Sequence, residues 1–135
     1  GLIQIWDLKS GELLLDIHGP NSAIGSVHFS PDNSLLATAY DDHKIRIWNV
    51  NSGKEIVTLN EFMNKARGVR FSPSGELLVG VSQDSSVRIW EVGSWENTLL
   101  IGQHGKGVWN VNFSVDGTMI ASAGSDGVIR IWGIP

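Results

Sequence analysis

Hydrophobic and polar residues along this chain come in short bursts set apart by turn residues. From Ala23 to Phe29 apolar residues alternate with small or polar ones, the period-2 signature of a strand. Ser-Pro-Asp-Asn at 30–33 ends that run, since Pro31 fixes φ and Asp32 can bond its own backbone. A second apolar run, Leu35 to Tyr40, stops at Asp41-Asp42-His43-Lys44. A third, Ile45 to Val50, stops at Asn-Ser-Gly-Lys (51–54), and a fourth strand is predicted at about Glu55–Asn60. No stretch holds the 3.6-residue period over ten or more positions, so the pattern predicts strands and no helix.

The four-strand unit recurs. Arg-Ile-Trp stands at 46–48, 88–90 and 130–132, and Gln-Ile-Trp at 4–6, so that Trp6, Trp48, Trp90 and Trp132 are each 42 residues apart. In rows of 42 further positions align: Val27, Val69 and Val111; Phe29, Phe71 and Phe113, each followed by serine; and Asp42, Asp84 and Asp126. Turns in the later rows fall at Pro73-Ser74-Gly75, Gln83-Asp84-Ser85, Gly93-Ser94-Trp95, Val115-Asp116-Gly117 and Ser125-Asp126-Gly127. A fixed period of this length is the mark of a repeat architecture. Four short strands per period suit a propeller blade, whose two faces are both covered by neighbouring blades. That double burial accounts for strands with little charge, such as Met119 to Ala123.

Composition narrows the class. The 135 residues are 41% hydrophobic and 18% charged, within the range of folded proteins, and the formal charge of −4 argues against binding nucleic acid by phosphate neutralisation. No apolar run approaches the ~18 residues of a membrane helix, so no membrane partner is expected. There is no cysteine, which removes disulfides and thiolate metal sites.

Taken together, the Phe-Ser-Pro-Asp block (29–32), the Ser-Asp-Gly turn (125–127), the Ile-Arg-Ile-Trp run (45–48) and Ile-Trp-Asp (5–7) make the whole chain resemble the WD-repeat (β-transducin-like) family. The namesake aspartate is replaced by Asn49, Glu91 and Gly133 in the later rows. The resemblance implies an all-β partial β-propeller of about three four-stranded antiparallel blades, not closed into a ring. It places residues 1–18 as the outer strands of an incomplete blade, 22–60 and 65–102 as whole blades, and 106–134 as a blade lacking its outer strand. Thirteen strands against the 28 of a seven-bladed ring imply an excerpt from a larger propeller. Its open ends are expected to meet the remaining blades or to self-associate.

The family's blades are pinned by a buried network of His, Ser or Thr, Asp and Trp. Carried over, the last row has all four: His104, Ser122, Asp126 and Trp132. The first full row keeps Thr38, Asp42 and Trp48 but has Pro20 at the histidine position. The second keeps Asp84 and Trp90, with Phe62 and Gly80 in the other two places. A complete network is expected only in the last blade.

His104, Ser122 and Asp126 also hold the ingredients of a hydrolase triad. A nucleophilic serine needs exposure and an oxyanion hole, whereas Ser122 sits in an apolar strand with no Gly-x-Ser-x-Gly elbow. The four histidines lack paired-ligand spacing, Asp41-Asp42 lies outside any calcium loop, and Gly102 to Gly107 lacks P-loop spacing. No catalytic residue, cofactor or metal is expected.

Lys65, Arg67 and Arg70 form the one basic cluster. The resemblance puts partner contacts on the face where loops enter the innermost strands. There it aligns Gly25, Arg67 and Trp109, and, just before the turn aspartates, Asp41, Gln83 and Ser125. Lys65, Arg67, Gln83, Trp109 and Asp41 are therefore the candidate partner-binding residues, with an acidic or phosphorylated peptide as one ligand that arginine would fork onto. Packing of Trp109 on a neighbouring blade is the competing role. Arg46, Arg88 and Arg130 recur with the fold's own period, which predicts stems packed on blade edges with the charge outward. The expected function is a non-enzymatic, intracellular (cytoplasmic) scaffold for protein or peptide partners. The alternative is a regulatory or sensor module of a multidomain signalling enzyme.

Overall fold

The computed structural model describes residues 1–133. These form thirteen strands in chain order: β1 (Leu2–Trp6), β2 (Leu13–His18), β3 (Ile24–Phe29), β4 (Leu35–Tyr40), β5 (Ile45–Asn49), β6 (Glu55–Leu59) and β7 (Ala66–Phe71). The rest are β8 (Leu77–Ser82), β9 (Ser86–Glu91), β10 (Asn97–Gln103), β11 (Val108–Phe113), β12 (Met119–Gly124) and β13 (Ile129–Gly133). No helix occurs among the described residues. Residue 134, the end of the blade expected over 106–134, lies outside them.

Every strand pairs antiparallel with its sequence neighbour inside one sheet. The sheets are β1-β2, β3-β4-β5-β6, β7-β8-β9-β10 and β11-β12-β13, and they do not close into a ring. The turns explain the short strands. After β3, the Asp32 carboxylate takes bonds from the Ser30 hydroxyl and the Ser34 amide, at 2.6 and 3.0 Å, and Asn33 adopts a left-handed φ of 61°. Gly75 and Gly117 hold the equivalent places in the next two sheets, with φ of 78° and 73°. The chain thus reverses at one fixed point in every period.

The core lies between sheets, each layer joining residues of one sheet to residues of the next. Ile3 and Ile17 pack with Leu36, Tyr40 and Trp48. Ala37, Ala39, Ile45 and Ile47 pack with Ala66, Val69, Phe71 and Trp90. Val79, Val81, Val87 and Ile89 pack with Val108, Val111 and Ile120. Each fully buried Val or Ile contributes about 1.5–3 kcal/mol, so these layers carry the fold.

One irregularity matters for the site. The inner strands β3, β7 and β11 slip register between Ile24 and Ser26, Ala66 and Gly68, and Val108 and Asn110. The residues inside the three bulges are Gly25, Arg67 and Trp109. A bulge leaves its extra residue out of the ladder and re-aims its side chain.

Candidate functional site

The bulges bring most of the candidate rim residues together across three successive sheets. Asp41, just after β4, accepts from Lys65 Nζ at 2.7 Å through Oδ2 and from Arg67 Nη1 at 2.9 Å through Oδ1. The Arg67 guanidinium lies over the Trp109 ring, 5.0 Å from its centre. The Trp109 indole N–H donates in turn to the Ser125 hydroxyl. Asp41, Lys65, Arg67, Trp109 and Ser125 thus form one continuous path along the rim, in which Trp109 is half exposed. The Lys65 ammonium beside Asp41 and, less strongly, Arg67 hold its carboxyl below the ordinary range against the opposing effect of desolvation. Gln83 lies under this path as backbone: its amide donates to the Lys65 carbonyl at 2.9 Å, and a Cβ on Gly107 would come within 3.0 Å of its Cα.

Arg70 departs from the expected basic cluster. Its Nη1 donates to Ser26 Oγ at 3.0 Å and to the Val69 carbonyl at 2.7 Å. The positive charge is therefore divided, and the two cations at the rim share the single Asp41 carboxylate.

The tryptophan networks differ from blade to blade. In the last sheet, Trp132 Nε1 donates to Ser122 Oγ at 2.9 Å, Ser122 Oγ lies 2.8 Å from His104 Nε2, and His104 Nδ1 lies 3.1 Å from Asp126 Oδ1. Ser122 accepts from the indole, and Arg130 Nη1, which can only donate, also lies 2.8 Å from His104 Nδ1; the ring proton is on Nδ1 where that atom donates to Asp126, and on Nε2, donating to Ser122, where Nδ1 accepts from Arg130. Arg130 adds a bond to Asp126 Oδ2 at 2.8 Å, and the Gly105 amide adds another at 2.9 Å. Burial opposes the Asp126 charge, yet the bonds from His104, Arg130 and the Gly105 and Val128 amides outweigh it and hold its pKa far below the usual carboxylate range. Gly124 makes the histidine's room, because a Cβ there would collide with the His104 ring.

In the sheet of β3–β6, Trp48 Nε1 donates to Thr38 Oγ1 at 2.8 Å, and Thr38 passes its own proton to the Arg46 carbonyl. Tyr40 stands at the repeat position of Gly124, fully buried beside Gly19, so that a Cβ on Gly19 would lie 2.5 Å from its hydroxyl oxygen. The phenol ring thus fills space next to Pro20, where a histidine is missing. Asp42 has lost its histidine and takes Arg46 instead, at 3.2 and 2.7 Å through both guanidinium Nη atoms. The outward-facing charge expected for the periodic arginines is thereby corrected. Arg46 is buried against Asp42 with its guanidinium 4.7 Å from the Tyr40 ring centre, and Arg130 turns to Asp126, each turn carboxylate standing four residues before its arginine.

In the sheet of β7–β10 the expected Asp84–Trp90 remnant is not a network. Asp84 accepts from the Met63 amide at 2.8 Å and from the Ser86 amide at 2.9 Å. Trp90 is fully buried, and its indole N–H has no hydrogen-bond partner. Phe62 meets it edge-on, ring centres 5.7 Å apart, and Arg88 lies 6.0 Å from the Phe62 centre. Gly80 leaves room for the Phe62 and Trp90 rings and for Ile45 Cδ1. This blade has exchanged hydrogen bonds for aromatic packing.

Against known proteins, a family model described as WD domain, G-beta repeat matches residues 11–49, 53–91 and 93–133. Each match ends one residue beyond a tryptophan, and the first two end before the outermost strand of their sheet, so that a sequence repeat and a sheet are offset. No curated protein matches the chain.

Proposed function

Because the chain belongs to the WD domain, G-beta repeat family, we propose that it is a non-enzymatic scaffold whose rim, centred on Arg67 and Trp109, takes protein or peptide partners. Repeats of this family generally mediate protein–protein interaction. The observation that carries the reading is the bulge: at one repeat position the fold lifts Arg67 and Trp109 out of the ladder and sets the largely covered guanidinium over the half-exposed indole, across two sheets. Arg and Trp on a rigid support are the side chains that dominate binding energy at interfaces.

Asp41 shapes the ligand. An anionic partner group has to compete with a carboxylate that already joins Lys65 and Arg67, so the peptide's main anchor is an apolar or aromatic residue on Trp109. The net charge of −4 favours a protein partner over nucleic acid or an anionic membrane. Ser122 is fully buried, and its oxygen is engaged by both His104 and Trp132, which suits a brace better than a nucleophile.

Selection of a random displayed peptide library on the intact protein tests this. Selected peptides are expected to lose at least tenfold in affinity on Arg67→Glu/Trp109→Ala. Peptides that all bind the double variant as well as wild type would remove the rim from the proposal.

A further inference from the structure

One lysine stands beside Trp109 without a counter-charge. Lys106 is exposed and makes no hydrogen bond or ion pair among the described residues. Its main chain is pinned on both sides: the Gly105 amide donates to Asp126 Oδ2 at 2.9 Å, and the Gly107 carbonyl accepts from the Ser125 amide at 2.8 Å. The hydroxyl of that same Ser125 accepts from the Trp109 indole. The loop also lies against the sheet of β7–β10, since a Cβ on Gly107 would come 3.0 Å from Gln83 Cα. Three residues of chain span at most about 10 Å, so a lysine at 106 reaches a group seated on Trp109.

The repeat does not ask for a charge here. Position 106 corresponds to Asn64 and Ser22 in the earlier rows. Asn64 serves its own loop: its Oδ1 accepts from the Lys65 amide at 2.8 Å, and its carbonyl accepts from Ser82 Oγ at 2.9 Å. The lysine brings no such side-chain bond to its loop. Asp126, to which that loop is tied, already takes Arg130 Nη1 at 2.8 Å. The charge on Lys106 therefore answers no need of the fold.

We propose that Lys106 sets the charge preference of the rim: it receives an acidic side chain, Asp or Glu, next to the apolar residue that the partner lays on Trp109. This rests on the rim reading above and adds the partner's charge to it. Lys65 and Arg67 are the cations that arginine and lysine chemistry would first suggest for that task. They share Asp41 at 2.7 and 2.9 Å, so a partner carboxylate reaches them only in competition with one already in place. Arg67, held by Asp41 and lying over the indole, is a positioning residue for Trp109. A flexible, solvated lysine at a rim acts mainly on association rate and salt dependence. An exposed pair of this kind changes affinity roughly two- to fivefold.

Peptides selected from a random displayed library on the wild-type protein are the probes, each paired with a copy whose Asp and Glu are replaced by Asn and Gln. The selection is expected to be enriched in acidic peptides. At low salt, Lys106→Gln is expected to slow their association roughly two- to fivefold and to leave dissociation unchanged. Lys106→Glu should slow it further, and Lys106→Arg should restore it. The effect should fade at high salt, and the neutral copies should bind all four proteins alike. Lys65→Gln is expected to cost less than Lys106→Gln. Arg67→Glu/Trp109→Ala should instead speed dissociation of acidic and neutral peptides together. A selection without acidic enrichment, equal responses of acidic and neutral peptides to Lys106→Glu, or a larger loss at Lys65→Gln would each overturn the role of Lys106 while leaving the rim in place. Peptides indifferent to Arg67→Glu/Trp109→Ala would overturn both.

Discussion

The Arg67 guanidinium lies over the Trp109 ring, 5.0 Å from its centre, although the two residues belong to different sheets. Asp41 from a third sheet takes a bond from the same guanidinium at 2.9 Å. Stacking of this kind at a partly exposed site is worth about 0.5–1 kcal/mol. A double-mutant cycle on Arg67→Ala and Trp109→Ala, read by urea unfolding, is expected to give a coupling of that size. Additive effects of the two substitutions would show that the stack contributes nothing.

Ser122 holds the last blade's network together, since its oxygen meets both the Trp132 N–H and His104 Nε2. Ser122→Ala strands two buried polar groups at once, and each such loss costs about 1–3 kcal/mol. Thr38→Val removes the bond from the Trp48 N–H and the longer one to the Arg46 carbonyl, but strands no histidine, so it should cost less. Chemical denaturation of both variants checks the order. Equal losses would mean that the histidine branch is energetically silent.

Gly80 is the counter-case. A serine here restores the family's residue and offers the orphan Trp90 N–H a partner, but its Cβ would sit 2.5 Å from Ile45 Cδ1 and 2.8 Å from the Trp90 ring. Overpacking of a tight core costs about 1–3 kcal/mol, more than the roughly 1 kcal/mol of one hydrogen bond. Gly80→Ser is therefore expected to lower the urea midpoint. A rise would show that the layer can relax around the new side chain.

These two sheets show which parts of the structure were legible in the sequence. Strand positions and turns follow from alternation and from residues such as Pro31 and Asp126, because local chemistry decides them. The register slips at Gly25, Arg67 and Trp109 have no composition signal, since a bulge depends on how two strands meet. The fate of Asp42 was equally hidden. With Pro20 in place of histidine, the carboxylate found Arg46, and Tyr40 filled the vacant volume. One sign was present: position 40 carries a large ring in the row that lacks histidine, and its equivalent Gly124 has none in the row that has it. That compensation becomes readable only once both positions are known to share one space.

The turn carboxylates set the acid limit. The Ser30 hydroxyl and the Ser34 amide hold the Asp32 pKa at about 2, and the Ser114 hydroxyl and the Thr118 amide do the same for Asp116, against an ordinary 3.8. Folded values below unfolded ones mean that this stability is present above about pH 4 and is lost as pH falls toward 2. The urea midpoint of wild type should drop across that window, and Asp116→Asn should flatten part of the drop. An unchanged slope in the variant would assign the acid sensitivity elsewhere.

His28 acts at a higher pH. Its Nδ1 accepts the Phe71 amide at 3.1 Å, joining the inner strands of adjacent sheets, and this contact requires the ring to be neutral there. Burial, helped by the Arg70 charge, lowers its pKa below the ordinary 6.5. The unfolded chain therefore binds this proton more readily than the folded one. Stability from His28 is full above about pH 6.5 and declines as pH falls through the lower folded value. His28→Gln keeps an acceptor but cannot titrate. Urea midpoints measured from pH 7.5 to 5 are expected to fall more steeply for wild type than for His28→Gln. Parallel curves would show that the Phe71 contact does not sense the charge on His28.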